Sequence, residues 1–85
     1  MDAMTLLRGK IERFCEPATG EMRAGDVLLF RMRDGETHCG IALGSDWFIH
    51  AWEHPQVAKV VRQRLDRFWR EKVATVYRWI GEGVS

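Results

Sequence analysis

Three glycine-bearing turn signals, Gly25-Asp26, Asp34-Gly35 and Gly44-Ser45-Asp46, cut the middle of this chain into pieces of strand length. Glycine accepts the positive φ that tight turns demand, and a neighbouring Asp bonds its own backbone. Between and after the turns stand Val27-Leu28-Leu29-Phe30-Arg31-Met32, Thr37-His38-Cys39-Gly40-Ile41-Ala42-Leu43 and Trp47-Phe48-Ile49-His50-Ala51. Runs joined this closely pair antiparallel, because a parallel return needs a crossover of a dozen or more residues. The centre of the chain therefore reads as a β-meander.

The flanks follow another period. Leu6, Leu7, Ile11, Phe14 and Cys15 recur at steps of three and four, which predicts an amphipathic helix. Thr5 can cap it, Gly9 weakens it, and Pro17 with Gly20 ends it. Residues 16–24 read as a loop. Pro55 closes the third central run, and Val57–Arg62 reads as a fourth strand. Leu65, Phe68 and Trp69 have helical spacing, so 64–71 is expected to form a helical turn or two. Ala74-Thr75-Val76-Tyr77-Arg78-Trp79 alternates as a closing strand. The expected fold is α+β: an N-terminal helix followed by a small, mostly antiparallel sheet of about five strands. It occupies 1–85 as one domain, with helix and loop over 1–21 and the sheet over 22–80.

At 85 residues the chain can bury only a modest share of its surface. It nevertheless carries four Trp, four Phe and one Tyr, more rings than one helix and five strands can cover. Part of them is expected to form an exposed patch of the kind that marks a protein interface. A formal charge of +1 argues against bulk attraction to nucleic acid or to a membrane surface. Residues 59–72 hold six basic side chains interleaved with Phe68 and Trp69, and a solvated face whose aromatics point inward explains them without nucleic acid. No window reaches the length of a membrane span, and no signal-like stretch opens the chain, since Arg8 and Gly9 interrupt it. Cys15 and Cys39 form no recognisable disulfide or zinc framework, so a reducing compartment of synthesis is expected and no cofactor is implied.

The chemistry centres on His38 and His50. Alternation puts His38, Gly40 and Ala42 on one face of their strand and Cys39, Ile41 and Leu43 on the other. The second set is apolar enough to be core, and the small first set leaves room for a cleft floor. On the next strand Phe48, His50 and Trp52 share a face. A three-residue loop over 44–46 sets Leu43 opposite Trp47 and Gly40 opposite His50, with His38 diagonal to His50 on the same face. A two-residue loop would send the imidazoles to opposite faces. In the first register one imidazole can take a proton from a thiol while the second orients it. The plain alternative is two half-buried strand histidines satisfied by backbone or water. His54, beside Pro55, reads as surface, and a metal held by His38, His50 and His54 matches no familiar spacing.

Gly25-Asp26-Val27-Leu28-Leu29-Phe30, His38-Cys39-Gly40-Ile41-Ala42-Leu43 and Phe48-Ile49-His50-Ala51, in that order, resemble the NlpC-type cell-wall cysteine peptidases, most closely their phage tail-associated branch. Trp69 and Val76-Tyr77-Arg78-Trp79 resemble that branch's closing segment. The resemblance covers roughly 22–80 and implies a truncated papain-like domain, with His38 as base and His50 as orienting residue. The family's nucleophile is a cysteine at the start of a helix, where backbone amides and the dipole favour thiolate. Cys15 falls instead at the end of the expected helix, beside Glu16, and Cys39 points away from His38. The resemblance therefore implies a degenerate, non-catalytic component of a virion tail tip, contacting other tail-tip or baseplate proteins. The alternative is an active amidase or endopeptidase on peptidoglycan peptides, with Cys15 or a partner's thiol as nucleophile.

Overall fold

The computed structural model describes residues 3–33, 35, 37–54 and 57–80. Among these, helix α1 spans Ala3–Ile11, and strands follow at β1 (Cys15–Pro17), β2 (Val27–Arg31), β3 (Thr37–Ala42), β4 (Trp47–His54) and β5 (Val57–Arg64). A single-turn helix α2 (Arg67–Arg70) precedes β6 (Val73–Trp79). All six strands join one antiparallel sheet in the order β1-β6-β2-β3-β4-β5. The fold is the expected α+β domain with one more strand. The turn residue Asp34 and the strand-ending Pro55 lie outside the described residues, as do the side chains of Trp52 and His54.

The extra strand comes from the segment read as helix end and loop. The helix stops at Ile11, and tight backbone bonds (Arg13 N to Lys10 O, Phe14 N to Ile11 O) turn the chain into β1. There Cys15, Glu16 and Pro17 pair with Trp79, Arg78 and Tyr77. The free edge of β6 offers hydrogen bonds that another helical turn could not supply from the helix alone, and Pro17, lacking an N–H, fits an edge strand. Thr5 lies inside α1 rather than at its cap, because the helix already begins at Ala3.

Strand β2 is buried on both faces: Leu28, Leu29 and Phe30 are all sealed from solvent. Each face carries its own core. On one, Leu28, Phe30, Ala42 and Phe48 pack with Leu65 and Trp69 from the α2 segment. On the other, Leu29, Cys15 and Tyr77 pack with Leu7 and Ile11 of α1, and Tyr77 Oη donates to Glu12 (2.9 Å). The α2 segment is pinned over the first face by its own chemistry. Asp66 caps the turn by accepting from Trp69 N, Leu65 N donates to Asp46 O, and Arg70 donates to Ser45 O.

The faces of β3 are used opposite to expectation. Gly40 and Ala42, expected to floor a cleft, are buried beneath the aromatic cluster. Cys39, Ile41 and Leu43, expected to be core, are exposed, Ile41 by 37% and Leu43 by 44%. The cause is coverage. The α1 contacts fall on β1, β6 and β2, so the same face of β3 to β5 lacks a covering element among the described residues.

Candidate functional site

The β3–β4 register is the one a three-residue loop requires: Gly40 faces His50, Ile41 faces Ile49 and Ala42 faces Phe48. Leu43 N also donates to Trp47 O, closing the hairpin around 44–46. With period-two alternation, His38 and His50 share a face and sit diagonally. Nε2 of His38 lies 2.7 Å from Nδ1 of His50, and the rings meet edge to face with centroids 4.8 Å apart. This is a direct imidazole–imidazole hydrogen bond.

The bond constrains the chemistry. One nitrogen must carry the proton and the other must accept it. When His38 Nε2–H donates to His50 Nδ1, the basic lone pair of His38 is on Nδ1, the position from which a proton could be taken. His50 is then the orienting partner. Its environment disfavours protonation: burial, followed by the charge of a protonated His38, lowers its affinity for a proton. His50 is only 3% exposed, whereas His38 is half-buried, as a base that meets a substrate must be.

Aromatic rings wall the pair in. Trp69 lies 5.1 Å from the His50 ring and 6.0 Å from the His38 ring, centroid to centroid. Phe30 stands 6.0 Å from His38 and Phe48 stands 5.0 Å from His50. Gly40, opposite His50, has no room for a side chain, since a Cβ there would come within 2.9 Å of Phe48 and 3.0 Å of the Ile49 carbonyl. Trp69 is the site residue that the helical spacing of 64–71 did not reveal. Spacing showed that it turns inward, but not that it turns toward the histidines.

Neither sulfur joins them. Cys15, expected at a helix end, lies on β1 and packs with Leu29 and Tyr77, on the face away from the imidazoles. Three strand spacings separate β1 from β3, roughly 14 Å across the sheet. Cys39 is next to His38 in sequence but projects from the opposite face, at the register position facing Leu29. Desolvation raises both thiols above the ordinary cysteine value, which disfavours thiolate. The structure thus brings His38 and His50 together and leaves Cys15 apart.

The Gly25-Asp26 signal has a second role beyond its turn. Gly25 adopts φ +93°. The Asp26 carboxylate, buried at 2% exposure, accepts from Arg78 Nε (3.0 Å) and Nη2 (2.8 Å) and from Arg23 N (2.8 Å). Arg78 also donates to the Thr19 and Glu21 carbonyls. Those bonds hold the Asp26 carboxyl below the ordinary range, the Arg78 bond foremost. An Asp directly before a buried apolar strand was the available clue; its partner lay 52 residues away.

Among the described residues no three His, Cys, Asp or Glu side chains gather to hold a metal ion, and no described helix is long and apolar enough to cross a membrane. In the basic run, Arg67 pairs with Glu71, Arg70 with Asp46, and Lys72 lies over the Phe68 ring at 4.2 Å.

The model of one protein family, described as the NlpC/P60 family, matches residues 10–78. No curated protein and no solved structure matches the chain.

Proposed function

Because this chain belongs to the NlpC/P60 family, we propose that it is a peptidoglycan-related, peptidase-like domain that does not cut by itself. The observation that carries this reading is the separation of sulfur from imidazole: Cys15 and Cys39 lie on the face opposite the His38–His50 pair. A cysteine peptidase needs the thiol within hydrogen-bond reach of its base, and a sheet stands between them here. The role left to the domain is structural. Its setting, on this proposal, is a phage or phage-derived tail tip, where it contacts other tail-tip or baseplate proteins. The resemblance of Trp69 and Val76–Trp79 to the tail-associated branch supports that setting, as does the exposed apolar surface at Ile41, Leu43 and Trp47.

One observation favours a second reading. The 2.7 Å imidazole bond and a buried His50 whose protonation is disfavoured are what a working base and its orienter need. A thiol supplied by another protein could complete an amidase or endopeptidase. Its S–H proton would pass to His38 Nδ1, His50 would stabilise the resulting imidazolium through the Nε2–H bond, and the thiolate would attack a peptide carbonyl.

Alkylation separates the readings for the chain alone. Iodoacetamide at neutral pH should label Cys39 no faster than an ordinary exposed thiol, and Cys15 only after unfolding. His38→Ala should change neither rate, and the isolated chain should release no product from purified peptidoglycan. A cysteine labelled far faster than free thiol, with that excess lost in His38→Ala, would overturn the proposal.

A further inference from the structure

We propose that the uncovered part of the sheet, on the face away from the histidines, is a docking trough for an amphipathic helix of a partner protein that carries acidic residues along one flank. This deepens the structural role proposed above and rests on it. The floor is apolar: Ile41 and Leu43 from β3, Trp47 and Ile49 from β4, and Val60 from β5, which is 69% exposed. One wall is α1, whose Leu7 and Ile11 occupy the same face over β1, β6 and β2. The opposite rim is the edge strand β5, where Arg62 stands opposite Ile49 and Arg64 opposite Trp47.

Width and charge select the occupant. Two strand spacings from β3 to β5 give about 10 Å, the diameter of one α-helix. On this face of β3 to β5 the acidic register position is Glu53, at the far end of β4 opposite Ala58, while Arg62 and Arg64 at the near end have no carboxylate within ion-pair distance among the described residues. The Arg62 guanidinium rests instead over the Trp47 ring, 4.9 Å from its centroid. A helix whose apolar stripe covers Ile41, Leu43 and Trp47 would set one flank against those guanidiniums, and carboxylates there gain bidentate, charge-assisted bonds. The helix of a second copy fits poorly. The last turn of α1 carries Arg8 and Lys10, and its first turn has no acidic residue, so the arginine rim would meet further cations.

The test uses the full chain with two designed helical peptides of about 18 residues that share a leucine stripe and differ only in having Glu or Lys on one flank. The Glu peptide should shift the NMR signals of Ile41, Leu43, Trp47, Ile49 and Val60, slow alkylation of Cys39, and bind at least about tenfold tighter than the Lys peptide at low salt. The exposed double variant Arg62→Glu/Arg64→Glu, its fold checked by its spectrum, should reverse that preference. Equal binding of both peptides, or shifts confined to the histidine face, would overturn the proposal. So would concentration-dependent dimerisation that buries Trp47 without peptide, which would assign the face to self-association. Labelling without peptide reads the peptidase question separately, so the two proposals can fail independently.

Discussion

At the scale of single residues, one buried group sets the behaviour of the site. His50 has its proton affinity lowered by burial and by His38, so the folded protein resists protonating it. The unfolded chain accepts that proton as pH falls through about 6.5, and stability is therefore complete above that pH and declines below it. The melting temperature should fall between about pH 7 and pH 5, and His50→Gln should flatten that slope; an unchanged slope in the variant would exclude His50 as its source. The histidines were legible in the sequence as a candidate pair, because a two-residue period leaves only the loop length to decide whether the rings share a face, and the observed register makes them share it. Their direct bond was not, because ring rotation depends on what surrounds them.

At the scale of elements, α2 does more than its single turn implies. It delivers Trp69 onto Phe30, Phe48 and both imidazoles, in edge-to-face and tilted contacts between 5.1 and 6.0 Å. Trp69→Ala should cost about 3–5 kcal/mol in denaturant unfolding, the range for removing a large buried ring. Trp69→Phe should recover much of that loss, and a cost below about 1 kcal/mol for the alanine variant would show that the ring is not part of the core. Helical spacing at Leu65, Phe68 and Trp69 announced this element. The opposite error came at α1. The same spacing ran on through Phe14 and Cys15, but Cys15 left the helix for a strand once the β6 edge was available. Local periodicity cannot register an edge that forms 64 residues later.

At the scale of the whole molecule, the Asp26–Arg78 pair ties the β2 start to the closing strand and to the loop at Thr19 and Glu21. Its folded carboxyl lies below the ordinary value, so its contribution is present above about pH 4 and is lost as pH falls through the lower folded value. Asp26→Asn should lower the melting temperature at neutral pH and remove part of the acid-side decline below about pH 4. It should also speed hydrogen exchange along β6, and an unaltered acid limb would refute the assignment. The sequence by itself determined the central strand runs and the turns between them, and narrowed the β3–β4 register to two choices, because glycine placement and alternation act over a few residues. Only the tertiary structure decided which face each core would occupy. Coverage depends on where distant segments land: α1 came down over β1, β6 and β2, and Leu65 with Trp69 came down over the histidines. Those two landings buried Cys15 on the face away from the imidazoles and left Ile41, Leu43 and Trp47 open to solvent.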